Sequence, residues 1–212
     1  MRLILFLLRP IYYLLYHQFA WTYDGVAALV SAGRWNDWVR TALPRLRGRV
    51  LEIGYGPGHL QLAMSGAGLQ PYGLDESRQM ARQAGRRLRR AGLRPGLTRG
   101  LAQGLPFRAA AFDSVVATFP SDYIFDRRTL AEIARVLAPG GELVVVGSAW
   151  PTGRHPWAML AGLLLRITGQ GAPMQAFIPG VLDRFREGGF RVRQEVVAAP
   201  GGQVLMFLAH PE

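Results

Sequence analysis

Apolar residues are distributed in two ways along the chain. From Leu3 to Trp21, 15 of 19 residues are apolar, with Arg9 and Pro10 interrupting them. A spanning helix needs about 20 mainly apolar residues, and a central arginine costs roughly 2.5–3.5 kcal/mol on insertion scales. A signal peptide fits poorly too: the first apolar run is only six residues and no small-residue cleavage site follows. Pro10 reads as the first residue of a second helix, Ile11 to Phe19 or beyond. Phe6, Tyr12, Tyr13, Tyr16, Phe19 and Trp21 give residues 1–22 the aromatic load of an interfacial anchor or lid. A helical cap packed on the domain is the alternative.

Further along, short β-rich runs alternate with helical stretches. Strands are predicted at Arg49–Ile53, Pro71–Leu74, Leu97–Arg99, Phe112–Thr118 and Glu142–Gly147. Helices are predicted at Gly58–Gly66, Ser77–Ala91 and Arg127–Leu137. Such alternation implies a parallel sheet with helices on both faces. Phe190–Val197 and Val204–Ala209 are separated by A-A-P-G-G-Q, too short for a crossover helix, and predict an antiparallel hairpin at one edge. Residues 23–212 thus form one α/β domain, with an apolar insertion at 151–179 whose W-A-M-L-A-G-L-L-L-R-I reads as a helix.

Composition narrows the chemistry. With half its residues apolar and 18% charged, the chain can bury a core. The net charge is +11 and all 25 cations are arginine, so the basicity reflects compositional bias as much as function. Nucleic acid, a membrane surface or an acidic ligand would each suit that charge. The absence of cysteine excludes disulfides, thiolate metal sites, iron–sulfur clusters and cysteine nucleophiles. The four histidines are scattered without ligand spacing, so no metal site is expected.

The candidate chemistry lies at the end of the first predicted strand. Val50 to Leu60 reads V-L-E-I-G-Y-G-P-G-H-L, with Gly54, Gly56 and Gly58 at spacing two. Glycines let a backbone turn sharply against a ligand, and the helix that follows offers free N–H groups. The dinucleotide fingerprint G-x-G-x-x-G is not met, and a phosphate-binding G-x-x-x-x-G-K-[ST] cannot occur without lysine. Glu52 stands beside the turn. Asp75 ends the second strand, 21 residues after Gly54, where an acid can take both hydroxyls of a ribose.

Four segments in order, E-I-G-Y-G-P-G, G-L-D-E-S, L-P-F-R-A-A-A-F-D-S-V-V-A-T-F and L-A-P-G-G-E-L-V-V-V-G, resemble the motifs of class I S-adenosylmethionine-dependent methyltransferases. The resemblance covers about Tyr23 to Gly147 and is closest to the small-molecule and lipid type that includes ubiquinone/menaquinone methyltransferases. It implies a Rossmann-like seven-stranded sheet of order 3-2-1-4-5-7-6 with the seventh strand antiparallel, and S-adenosylmethionine as cofactor. By the same resemblance Glu52 lies near the methionine moiety, Gly54, Gly56 and Gly58 line the cofactor, and Asp75 takes the ribose diol. Ala102 and Gln103 match the loop at the adenine edge, Phe119 begins the segment facing the transferred methyl, and Tyr23 sits where a tyrosine often reaches the cofactor carboxylate. One departure concerns adenine: the family commonly has an acid two residues before the Gln103 position, and here Leu101 stands there.

Structural roles compete with several of these readings. Asp75 could cap the helix that follows, Glu52 could pair with an arginine, and His59 reads more readily as structural than catalytic. The arginines from Arg82 to Arg94 read first as a solvated helix face. The resulting expectation is methyl transfer from S-adenosylmethionine to a lipophilic small molecule, such as a lipid amine or quinone-like ring. No catalytic residue is assigned. A cytoplasmic location, at the inner membrane face if residues 1–21 make peripheral membrane contact, goes with that reading. The alternatives are an RNA or protein methyltransferase and a non-catalytic nucleotide-binding relative. The absence of an appended basic domain disfavours nucleic acid, as does T-F-P-S-D-Y where amino-methylating nucleic-acid enzymes carry Asn/Asp-Pro-Pro-Tyr/Phe.

Overall fold

The computed structural model describes residues 33–152 and 178–212. The segment 1–22, Tyr23 and most of the predicted insertion lie outside the described residues. Helix α1 (Trp35–Arg40) and a 3-10 turn at Leu43–Arg45 lead into β1 (Arg49–Ile53). There follow α2 (His59–Gly66), β2 (Gln70–Asp75), α3 (Arg78–Arg90), β3 (Leu97–Arg99) and β4 (Phe112–Thr118). A second 3-10 turn, Asp122–Phe125, precedes α4 (Arg127–Val136), β5 (Leu137–Pro151), α5 (Ile178–Glu187), β6 (Phe190–Ala199) and β7 (Gly202–Pro211).

The sheet has the order β3-β2-β1-β4-β5-β7-β6. The first five strands run parallel, and β7 is antiparallel to both β5 and β6. Both faces are covered, which explains the near-continuous apolar runs of the central strands. In β5, Leu143 and Val145 pack with Leu130, Ile133 and Phe185 of α4 and α5 on one side. Val144 and Val146 pack with Trp38, Leu60 and Met64 of α1 and α2 on the other. Strand β7 divides in the same way, Leu205 and Phe207 to the first layer and Val204 and Met206 to the second.

Helices α3 and α4 start where the sequence placed them, for capping reasons, whereas α1 and α5 were not predicted. The Ser77 hydroxyl accepts the Met80 N–H at 3.3 Å, and the Asp126 carboxylate accepts the Arg128 N–H at 2.7 Å, each cap being worth about 1 kcal/mol. Strand β5 differs from expectation, running from Leu137 to Pro151 instead of Glu142 to Gly147. Its L-A-P-G-G start is accommodated by a register shift between Phe112 and Ser114 of β4, a local irregularity that side-chain pattern does not announce. The hairpin loop is also tighter than expected: Ala199 pairs with Gly202, leaving Pro200 and Gly201 as the turn. Trp38 Nε1 donates to the Pro200 carbonyl at 3.3 Å, tying α1 to that turn. Among the described residues no helix is long and apolar enough to cross a membrane.

Candidate functional site

The site forms where β1, β2 and β4 end together. At Gly54 φ is +74°, and its N–H donates to the Leu74 carbonyl at 2.7 Å, so the turn leaves β1 while bonded to β2. A Cβ on Gly54 would lie 2.6 Å from the Tyr123 hydroxyl oxygen, which a side chain could occupy only by displacing Tyr123. Gly58, at φ +83°, is the N-cap of α2, and a Cβ there would meet the Ala84 methyl at 2.8 Å. Closeness to α3 therefore demands glycine at that point. Around Gly56, by contrast, a Cβ would meet nothing within 4 Å, so the middle of the turn faces open space.

Asp75 closes the other side. Its Oδ2 accepts the Gly56 N–H at 2.9 Å and its Oδ1 accepts the Ser77 N–H at 2.8 Å. Burial raises its pKa, the two N–H donors oppose that rise, and Glu76 adds to it. Each oxygen retains acceptor capacity, since a carboxylate offers about four lone-pair positions. Asp75 therefore organises the loop before α3 and can still accept hydroxyls from a ligand. The capping alternative is met by Ser77, whose own hydroxyl is the N-cap acceptor.

Glu52 projects into the layer beneath the turn. It is 1% exposed, and Gln61 Nε2 donates to its Oε2 at 2.8 Å and to the Tyr72 carbonyl at 3.1 Å. Burial pushes the Glu52 carboxyl up to about 8, against the Gln61 hydrogen bond and with a smaller contribution from Asp75. Tyr55 is 3% exposed, and its hydroxyl is buried with no hydrogen-bond partner. Burial first, and then Asp75, push that phenol up to about 12, with Arg99 opposing, so it remains a neutral donor.

The remaining predicted residues line the rim. In the loop after β3, Leu101 is 58% exposed, Ala102 is buried and Gln103 is half-buried. Phe119, just beyond β4, adopts φ +48°, a conformation costly for a bulky L-residue, while its N–H donates to the Val146 carbonyl at 2.7 Å. Its ring lies 4.2 Å from that of Trp35, centroid to centroid. The Tyr123 hydroxyl donates to the Ile53 carbonyl at 3.4 Å. Sequence reasoning singled out none of Trp35, Tyr55, Gln61 or Tyr123. Only Tyr55, inside the glycine motif, carried a local signal. Among the described residues no cluster of His, Cys, Asp or Glu could hold a metal ion.

A glycine turn and a carboxylate at the carboxyl ends of neighbouring parallel strands define a Rossmann-like nucleotide-binding α/β fold. Comparison with known proteins narrows that class. Residues 50–141 match the family model of the methyltransferase domain. The chain is 31% identical over 156 residues to the ubiquinone/menaquinone biosynthesis C-methyltransferase UbiE of Syntrophotalea carbinolica, covering 70% of this chain and 64% of that one. It is 33% identical over 139 residues to a demethylmenaquinone methyltransferase of Thermus thermophilus, covering 62% and 63%. The matches thus span a little less than two thirds of each relative's length. The mmp1179 protein of Methanococcus maripaludis shares the fold at a TM-score of 0.62 and 19% identity, over 88% of this chain and 90% of that one. Residues 50–141 thus carry a methyltransferase domain, of the kind whose cofactor is S-adenosylmethionine.

The described residues fit that cofactor. Open space at Gly56 and the Asp75 carboxylate beside it form a cradle with acceptor capacity in reserve.

Proposed function

We propose that the protein transfers a methyl group from S-adenosylmethionine to a lipophilic small-molecule acceptor, a quinone-like ring or a lipid amine. The observation that carries the cofactor part is the Asp75 carboxylate, oriented by Gly56 and Ser77 N–H groups at the edge of the open turn. In this reading Asp75 takes the ribose diol, Gly54, Gly56 and Gly58 let the backbone approach the cofactor, and Ala102 with Gln103 borders the adenine. Glu52 would reach the methionine ammonium only with Gln61 turned aside; otherwise it supports the turn from beneath. Tyr23, outside the described residues, is kept as a ligand of the cofactor carboxylate.

When bound, the cofactor supplies a sulfonium methyl for in-line displacement. The protein's own contribution is alignment and exclusion of water. Phe119 and Tyr123 flank the end of β4 next to Gly54, and they would wall the acceptor side with aromatic surface. A general base is needed only for a poor nucleophile such as a hydroxyl. The quinone part of the proposal is supported by what the two relatives are named for. Residues 1–21 are proposed as an interfacial lid over the acceptor site.

The test is turnover of labelled S-adenosylmethionine with a demethylated quinone, a lipid amine and a short RNA offered separately. Methylation of a lipophilic acceptor alone supports the proposal. Transfer to RNA alone would replace it.

A further inference from the structure

We infer that the exposed face of α3 is a docking surface for an anionic lipid bilayer. Helix α3 turns Met80, Ala84 and Leu88 into the protein. Its solvent side presents Arg78, Arg82, Arg86 and Arg90 at steps of four residues, with Arg89 and Arg94 close by in the chain, all of them exposed. Residues four apart on a helix are neighbours, so this ladder of like charges destabilises the helix that carries it. No acid lies within α3 to relieve it.

Elsewhere among the described residues, unpaired exposed arginines such as Arg40, Arg128 and Arg191 are scattered rather than stacked on one helix face, and others are paired. Arg127, Arg135, Arg184, Arg186 and Arg193 all meet carboxylates. None of the exposed α3 arginines forms a salt bridge with a described residue. The repulsion along α3 is left for something outside the fold to offset. Two shallow hollows of about 670 and 490 Å³, both bordered by Gln83 and Arg86, run along this face. Among the described residues Glu76, at the head of the helix, is the one carboxylate that lines them. Guanidinium groups at such spacing suit phosphate oxygens, which they bind through paired N–H donors.

A bilayer fits better than a nucleic acid. Helix α3 offers no aromatic side chain on which a base could stack. The same chain carries the apolar, aromatic stretch from Leu3 to Trp21, and peripheral proteins combine a weak apolar signal with a basic one to hold a membrane. The inference does not rest on methyl transfer, since it concerns a face whose binding is read without cofactor.

The test is co-sedimentation of the full chain with phosphatidylcholine vesicles, with and without phosphatidylglycerol. Wild-type protein should prefer the anionic vesicles, and raised salt should remove that preference. The triple variant Arg82→Gln, Arg86→Gln, Arg90→Gln should lose roughly a hundredfold in affinity for them. A control with the same charge change on other exposed sites, Arg40→Gln, Arg128→Gln, Arg191→Gln, should bind like the wild type. Thermal unfolding checks both folds; if the triple variant does not fold, Arg82→Gln and Arg86→Gln singly should each lose about fivefold. Undiminished binding by the α3 variants would overturn the inference, as would an equal loss in the control, which would reduce the effect to net charge. A single-stranded RNA that displaced the protein from vesicles, and whose own binding fell in the triple variant, would reassign the face to nucleic acid.

Discussion

The carboxylate of Asp75 accepts the backbone N–H of Gly56 at 2.9 Å, so the last residue of β2 and the middle of the glycine turn form one unit. A ligand that contacts either is held by both. The neighbouring bond from Ser77 extends the unit to the start of α3.

Replacing Asp75 with alanine should therefore weaken cofactor binding through the lost hydroxyl contacts and through a loosened turn. Charge-assisted hydrogen bonds are worth about 1.5–3 kcal/mol each, so a loss of tenfold or more is expected for S-adenosylhomocysteine. Titration calorimetry on Asp75→Ala and Asp75→Asn would show it. Unchanged affinity in both would remove Asp75 from the site.

Glu52 should leave a signature in stability against pH. Its folded pKa, about 8, lies above the ordinary value of 4.5, so the native state keeps a proton that the unfolded chain gives up between those limits. Native protein then binds more protons, and stability falls as pH rises from 4.5 to 8, by at most about 1.4 kcal/mol per pH unit, and levels off above that. Glu52→Gln should flatten this slope. Urea unfolding from pH 5 to 8 measures it, and an equal slope in both proteins would contradict the assignment.

Gly54 and Tyr123 should be energetically coupled. Gly54→Ala adds a methyl group 2.6 Å from the Tyr123 hydroxyl oxygen at a backbone angle that disfavours alanine. In the wild-type background we expect a cost of about 2 kcal/mol or more. In a Tyr123→Phe background the cost should fall by roughly 1 kcal/mol, because the clashing atom is gone. Additive costs in the double-mutant cycle would show that the two residues do not meet.

Leu101 offers a gain-of-contact experiment. It is exposed in the loop proposed to border adenine, so Leu101→Asp buries no charge. S-adenosylhomocysteine affinity should hold or rise as the carboxylate meets the adenine amino group. A tenfold loss with the fold intact would place Leu101 away from adenine.

The parallel part of the sheet was legible because its strands are bounded by turn residues and β2 and β4 lead to helices capped by Ser77 and Asp126. Ser77 was readable for the same local reason, and so was the hairpin, although its turn, Pro200 and Gly201, is shorter than the six residues the sequence set aside. The start of β5 was not, since L-A-P-G-G reads as a turn unless the bulge opposite Phe112 is known. At the site, Gly54, Gly58 and Asp75 announced themselves by spacing. Gln61 and Tyr123 did not, because only the packing of α2 and of the 3-10 turn after β4 brings them to Glu52 and Gly54. Trp35 meets Phe119 across a separation no periodicity encodes.

Strand β7 lies between β5 and β6 in space but follows both in the chain. While the polypeptide emerges from the ribosome, β5 has an unpaired edge flanked by apolar rows on both faces until residues 202–211 arrive. Such an edge is a template for pairing with other chains. A nascent molecule can thus complete its glycine turn while still being a substrate for chaperones. Slow decoding of the closing hairpin would lengthen that exposure, so codon choice there should govern the yield of usable protein more than codon choice around Gly54.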